Sequence, residues 1–281
     1  MIYLFCGMFV ILGVMTAFAW LRRIDELKNR LLYLSGFWAL LTAVFLGGVV
    51  LFGIFAGLIA FAGTAEMMKA VKGNTAAGLV LLCVSTAIAW FSWAGYLALL
   101  AGWLLMTAYL FISLSFWGGS RANGCAFVFF IITLGAVGMQ KTYILSPSLV
   151  LTVLLLIAAN NTGGYFAGKR WGKTRIVKNI SPNKTLEGYL AGFFLSVAVY
   201  GLCCLLLPEL IERGVLFAIV FCGYTILAAD VGDLLFSAFK RKLEVKDFSR
   251  FLGRHGGILD RFDDILYVFP GLYLLLRSGC I

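Results

Sequence analysis

Val49-Val50-Leu51-Phe52-Gly53-Ile54-Phe55-Ala56-Gly57-Leu58-Ile59-Ala60-Phe61-Ala62-Gly63-Thr64-Ala65 contains no charge, and it belongs to an uncharged stretch that runs from Arg30 to Glu66. A helix that crosses the hydrocarbon core of a bilayer needs roughly 17–25 mostly apolar residues. Working outward from this run, similar segments recur along the chain. Counted between charged or Gly/Asn-rich breaks, they fall at about 1–20, 32–48, 49–67, 76–93, 96–117, 125–140, 146–160, 189–207, 214–236 and 264–280. The reading is an all-α, polytopic transmembrane helical protein. It has nine or ten membrane-spanning helices, since 32–67 merges two candidates and 146–160 is short.

Composition supports the same solvent. Of 281 residues 62% are apolar and 13% charged, with a mean hydropathy of +0.98, whereas a soluble domain is about half apolar and about a quarter charged. An ordinary soluble enzyme, a disordered chain and a secreted disulfide scaffold are excluded. The seven cysteines lie in or beside apolar runs without a Cys-x-x-Cys pair, and His255 is the one histidine. A Cys/His zinc site has nothing to build it from.

Lys and Arg total 23 against 13 Asp and Glu, a formal charge of +10. In a membrane chain such an excess marks cytoplasmic loops rather than a nucleic-acid surface. Thirteen of the 23 fall within 169–184 and 240–261. The first run resembles a signal peptide at Ala17-Phe18-Ala19, but its basic residues, Arg22, Arg23, Lys28 and Arg30, follow it. That order favours a retained helix with its N-terminus outside. Alternation then puts 21–31, 68–75, 118–124, 161–188 and 237–263 in the cytoplasm and leaves Lys141, Arg213 and Arg277 opposite. The chain divides into N-terminal helices, 1–157, and a C-terminal catalytic region, 158–281, with two polar loops on one face. In the first 150 residues nothing suggests chemistry. Glu66 and Lys69 read as solvated at a helix end, and Trp90-Phe91-Ser92-Trp93 as an interfacial belt.

The first polar loop runs from Asn160-Asn161-Thr162-Gly163-Gly164 to Gly168-Lys169-Arg170-Trp171-Gly172-Lys173, then through Ser181-Pro182-Asn183-Lys184 to Thr185-Leu186-Glu187-Gly188. Glycines among basic residues allow close backbone approach to a phosphate, and a helix start beside Lys184 suits an anion. The order is not that of a P-loop. The second loop carries Asp230 and Asp233 one turn apart, then Asp260 and Asp263 at the same spacing. Acids at membrane depth point to function. Four carboxylates among many cations suit a hard divalent metal with a phosphorylated substrate.

Ser237-Ala238-Phe239-Lys240-Arg241, Lys246-Asp247 and Leu252-Gly253-Arg254-His255-Gly256-Gly257-Ile258-Leu259-Asp260-Arg261-Phe262-Asp263 together resemble the C-terminal motif of the phosphatidate cytidylyltransferases, the CDP-diacylglycerol synthases. Gly232-Asp233 and Ser181 to Gly188 are also similar to that family, and the likeness covers roughly 158–275. It implies joining of CTP and phosphatidic acid into CDP-diacylglycerol and pyrophosphate, with membrane lipids as surroundings, no nucleic acid, and a homodimer as one arrangement. Carried over, Asp233, Asp260 and Asp263 match the metal positions, for Mg²⁺ with a second cation allowed. Lys240, Arg241, His255 and Arg261 match catalytic polar positions, and Lys184, Ser181, Asn161 and Thr162 substrate-binding ones. Two departures stand out: Asn161-Thr162 where Asp-Ser/Thr is usual, and Phe236 where an acid is common. The implied location is the cell membrane, with the site facing the cytoplasm. The alternatives are a CTP-dependent relative acting on another lipid phosphate or an isoprenoid, and an ion-coupled transporter.

Cysteines introduced at Lys173 and Lys246 should both escape a membrane-impermeant thiol reagent added outside intact cells. External labelling of either would break the common-face topology.

Overall fold

The computed structural model describes residues 25–116, 121–177, 180–181, 183–253 and 256–280, together with residues 5, 7 and 13. The expected first span, 1–20, otherwise lies outside the described residues. So does His255.

Among the described residues the chain is helical with no strand; Arg175 and Thr185 form an isolated bridge. In chain order the helices are α1 (Asp25–Leu46), α2 (Gly48–Ala70), α3 (Thr75–Phe91), α4 (Trp93–Phe116), α5 (Arg121–Leu145), α6 (Pro147–Trp171), α7 (Leu186–Leu206), the single turn α8 (Glu209–Glu212), α9 (Gly214–Lys242) and α10 (Leu259–Arg277). Five are long and apolar enough to cross a membrane: α2, the Cys125–Leu145 part of α5, α6, α7 and α9. Ser35–Leu46, Thr75–Phe91 and Trp93–Gly102 are shorter apolar helices. This is a helical membrane protein.

Local chemistry sets several boundaries. Gly48 at φ +74° breaks the long run between α1 and α2. Asn74 accepts from Ala77 N to cap α3, and Thr185 accepts from Gly188 N to cap α7, both at 3.2 Å. Pro147 occupies the first turn of α6, where its missing N–H costs nothing.

The last described helix, α10, packs into the bundle against α5, the most buried of the long helices. It packs most closely on α5 and α9 and also touches α2 and α6, while α6 and α7 run together as a pair. The α5–α10 contact depends on glycine. A Cβ at Gly135 would lie 2.5 Å from the Leu266 carbonyl oxygen, and one at Gly138 would lie 2.8 Å from that of Phe269. Pro270 cannot donate a helical hydrogen bond to Leu266, so the backbone of α5 comes closest where α10 has lost a bond. Tyr96 Oη donates to Pro270 O at 3.1 Å and Tyr224 Oη to Val268 O at 2.9 Å. Such small-residue contacts let helices pack in a solvent that gives no hydrophobic drive between them.

Gly135→Ala should destabilise the purified protein by about 1–3 kcal/mol, the usual cost of overpacking, and lower its thermal midpoint in detergent. Gly57→Ala, where a Cβ meets nothing within 4 Å, should leave the midpoint unchanged or raised.

Candidate functional site

The first polar segment is less of a loop than its sequence suggests. Asn160 to Trp171 continue α6 to its end, and the glycines there serve helix packing, with Gly164 also lining the polar cavity described below. A Cβ at Gly163 would lie 3.0 Å from the Gly192 Cα, and one at Gly188 would lie 2.8 Å from the Gly164 carbonyl. Close approach of α6 and α7 leaves the chain between them to fold back. Glu187 accepts from Lys173 N and Thr174 N at 3.1 Å, and Ile176 N donates to Lys184 O. Ser181 forms the turn whose carbonyl accepts Lys184 N at 3.2 Å. That path delivers Lys184 to Asp233 on α9, 2.5 Å away. Burial works against the Lys184 ammonium, but the Asp233 carboxylate and Tyr189 outweigh it and hold its pKa above the ordinary lysine value.

Around this pair the acids of α9 and α10 are gathered and individually partnered. Asn160 Nδ2 donates to Asp230 Oδ1, and Asn161 Nδ2 to Asp264 Oδ2, both at 2.7 Å. Lys240 Nζ lies 3.0 Å from Asp260 Oδ1 and 3.4 Å from Asp263 Oδ2. Ser237 Oγ donates to Asp233 Oδ1 at 3.3 Å. Asp263 and Asp264 are both buried. Two consecutive asparagines on α6 thus reach acids on two different helices.

Asp260, expected among the metal ligands, is also engaged by protein groups. Its Oδ2 accepts from Phe248 N and Gly257 N, both at 2.9 Å, and its Oδ1 takes Lys240. Both oxygens hold protein, so the carboxylate ties the loop after α9 to the start of α10. Arg241 is exposed and donates to Val245 O at 3.4 Å, and Thr162 is exposed on α6. Neither is drawn into the cluster.

Three acids carry more than their sequence suggested. Asp230 was visible only through its spacing from Asp233. Asp264 follows Asp263, and neighbours on a helix do not share a face; it matters because α10 is enclosed on several sides. Glu66 corrects its reading as a solvated helix end. It is buried and accepts from Ser249 Oγ at 2.7 Å, Ile258 N at 3.0 Å and Leu259 N at 2.9 Å.

Two cavities meet at Asn161. One, of about 310 Å³, is lined by Asn160, Asn161, Lys184, Tyr189, Asp230 and Asp233 among others. The other, of about 190 Å³, has apolar walls including Phe37, Trp38, Phe55 and Met139, with Asn161, Arg261 and Asp264 at its polar end. The donor set is of the hard oxygen type that Mg²⁺ takes. Five carboxylates, Asp230, Asp233, Asp260, Asp263 and Asp264, are collected against Lys184, Lys240 and Arg261, so acids outnumber bases. Among the described residues no three of His, Cys, Asp and Glu converge as a ready-made metal cage. The fit to a divalent cation is one of donor type and charge.

Asp260→Asn should speed hydrogen exchange at the Phe248 and Gly257 amides and expose the loop 243–253 to protease, since an amide replaces one acceptor with a donor. The expected cost is about 1–3 kcal/mol. Unchanged exchange would show that Asp260 does not hold the loop.

The profile of the cytidylyltransferase family matches residues 28–278. A phosphatidate cytidylyltransferase of Staphylococcus aureus is 31% identical over 245 residues, covering 82% of this chain and 91% of its own. One from Bacillus subtilis is 38% identical over 122 residues, 43% of this chain and 45% of the relative. One from Aquifex aeolicus is 31% identical over 153 residues, 54% and 56% of the two chains.

Proposed function

The chain belongs to the cytidylyltransferase family, and from that premise we propose that it transfers the cytidylyl group of CTP to phosphatidic acid, giving CDP-diacylglycerol and pyrophosphate. The observation that carries the reading is the junction of a polar and an apolar cavity at Asn161. A water-soluble polyanion and a lipid need such a meeting point. The polar cavity, with Lys184 beside its acids, suits the nucleotide phosphates; the apolar one suits the lipid, with Arg261 at the end where a phosphate head group would lie.

The chemistry asks little of a protein nucleophile. An oxygen of the lipid phosphate attacks the α-phosphorus of CTP, the new P–O bond forms as the α–β bridge breaks, and pyrophosphate leaves with the bridging electrons. The barrier is repulsion between two anions, so positioning and charge stabilisation supply most of the catalysis. Lys184 and Lys240 present ammonium groups to the phosphates, each kept in place by its carboxylate partner. A Mg²⁺-like cation, held by Asp233, Asp260 and Asp263 with Asp264 adjacent, would supply charge neutralisation between the substrates. Asp260 on this reading also holds Lys240.

The five long helices, the three shorter apolar ones and α10 make nine crossings, and the expected first span, 1–20, would make ten. The proposal puts the site on the cytoplasmic face of the cell membrane, where CTP is available and where the basic segments 169–184 and 240–261 belong by the positive-inside rule.

Membranes containing the chain should convert CTP and phosphatidic acid to CDP-diacylglycerol, and an isoprenoid phosphate should not replace the lipid. Asp233→Asn, Asp263→Asn and Asp264→Asn should each insert at normal abundance and lose about 10²–10³-fold in turnover. Glu244→Gln, at an exposed position, should match the parent. Full specific activity in the Asp263 variant would end the assignment, and preference for the isoprenoid would move the substrate.

A further inference from the structure

The helix that brings Asp263 and Asp264 to the site begins without a local cap. Ile258 already has helical angles, φ −66° and ψ −45°, and no side-chain bond caps the start of α10 from its own turn. The first N–H groups of a helix have no intrahelical acceptor and need one from elsewhere. Here it comes from 193 residues away. Glu66, at the end of α2, accepts Ile258 N on one oxygen and Leu259 N on the other, and takes Ser249 Oγ as a third donor.

The approach is built into Gly256-Gly257. A Cβ at Gly257 would overlap Glu66 Oε2 and lie 2.7 Å from Ser249 Oγ, so only glycine leaves the carboxylate its seat. Gly256 turns the chain into that position at φ +81°. The carboxylate also lies at the positive end of the α10 dipole, where an anion is favoured. An apolar side chain of similar size would fill the space and leave buried N–H groups unpaired.

We propose that Glu66 is a positioning residue for cytidylyl transfer: an acid from the N-terminal helices that caps α10 from a distance and thereby sets Asp263 and Asp264 against Lys240 and Asn161. The inference rests on the reading of that cluster as the reaction site. Asp263 stands one turn beyond Leu259, so a slip at the helix start moves its carboxylate directly. A displacement of about 1 Å is enough to cost about 10²-fold in rate.

The test uses the full chain in lipid nanodiscs, with hydrogen exchange at 257–259 measured beside kcat and KM for CTP. Glu66→Gln keeps the volume and one acceptor; it should stay at normal abundance, exchange faster at Ile258 and Leu259, and lose about tenfold in kcat with KM for CTP little changed. Glu66→Ala should lose about 10²-fold, and Gly257→Ala, which blocks the seat while keeping the acid, should reproduce it. Ser249→Ala, removing one of three bonds, should give a smaller loss and guards against misfolding of the harsher variants. Faster exchange with unchanged kcat per folded molecule would reduce Glu66 to a stability role and overturn the proposal. Unchanged exchange would overturn it as well. If the parent protein transfers nothing from CTP, the functional reading fails, and exchange at 257–259 alone decides whether Glu66 sets the helix start.

Discussion

A carboxylate taken out of water must find a partner, and inside a membrane bundle water cannot supply one. This constraint organises the C-terminal half of the molecule. Asp230 and Asp264 are satisfied by neutral amides, Asn160 and Asn161; Asp233 and Asp263 face lysines; Asp260 and Glu66 are filled chiefly by backbone N–H groups and a hydroxyl. The choice of partner separates roles. Acids bonded to side-chain amides or ammonium groups join helices through side chains, and acids bonded to backbone act as fasteners, Asp260 doing both.

The membrane character was legible because it depends on composition and run length, which the chain states openly between Arg30 and Glu66. The C-terminal acids and Lys184 were legible because charge placed at the ends of apolar spans is costly to keep and points to binding or chemistry. The glycines of 163–188 had a second use that the sequence did not state, since the same absence of a side chain that admits a phosphate also admits a neighbouring helix. The spacing of Asp260 from Asp263 says which side of a helix the two share, but not that Asp260 also takes the Phe248 and Gly257 amides. Glu66 was hidden for a different reason. Its partners lie near residue 258, and no local pattern reports a pairing across that much chain.

Asn161 changes meaning between the two views. As a residue it is a lost negative charge beside the usual pattern of the family it resembles; in the structure its amide donates to Asp264, a bond that an ionised aspartate could not make. The site therefore keeps a carboxylate at this junction of the two cavities, carried by α10 instead of α6.

The helix that carries Asp260, Asp263 and Asp264, α10, is the one synthesised after every other described helix. Until it leaves the ribosome and enters the bundle, Gly135 and Gly138 face an unfilled groove, and Glu66 and Asn161 lack the donors and acceptor they meet in the folded chain. The earlier helices must therefore wait in the membrane as an open receptacle with polar groups on its inner wall. Insertion of this single helix closes the core and assembles the acid cluster in one event, so a nascent chain stalled short of it would hold every earlier described helix and only part of that cluster.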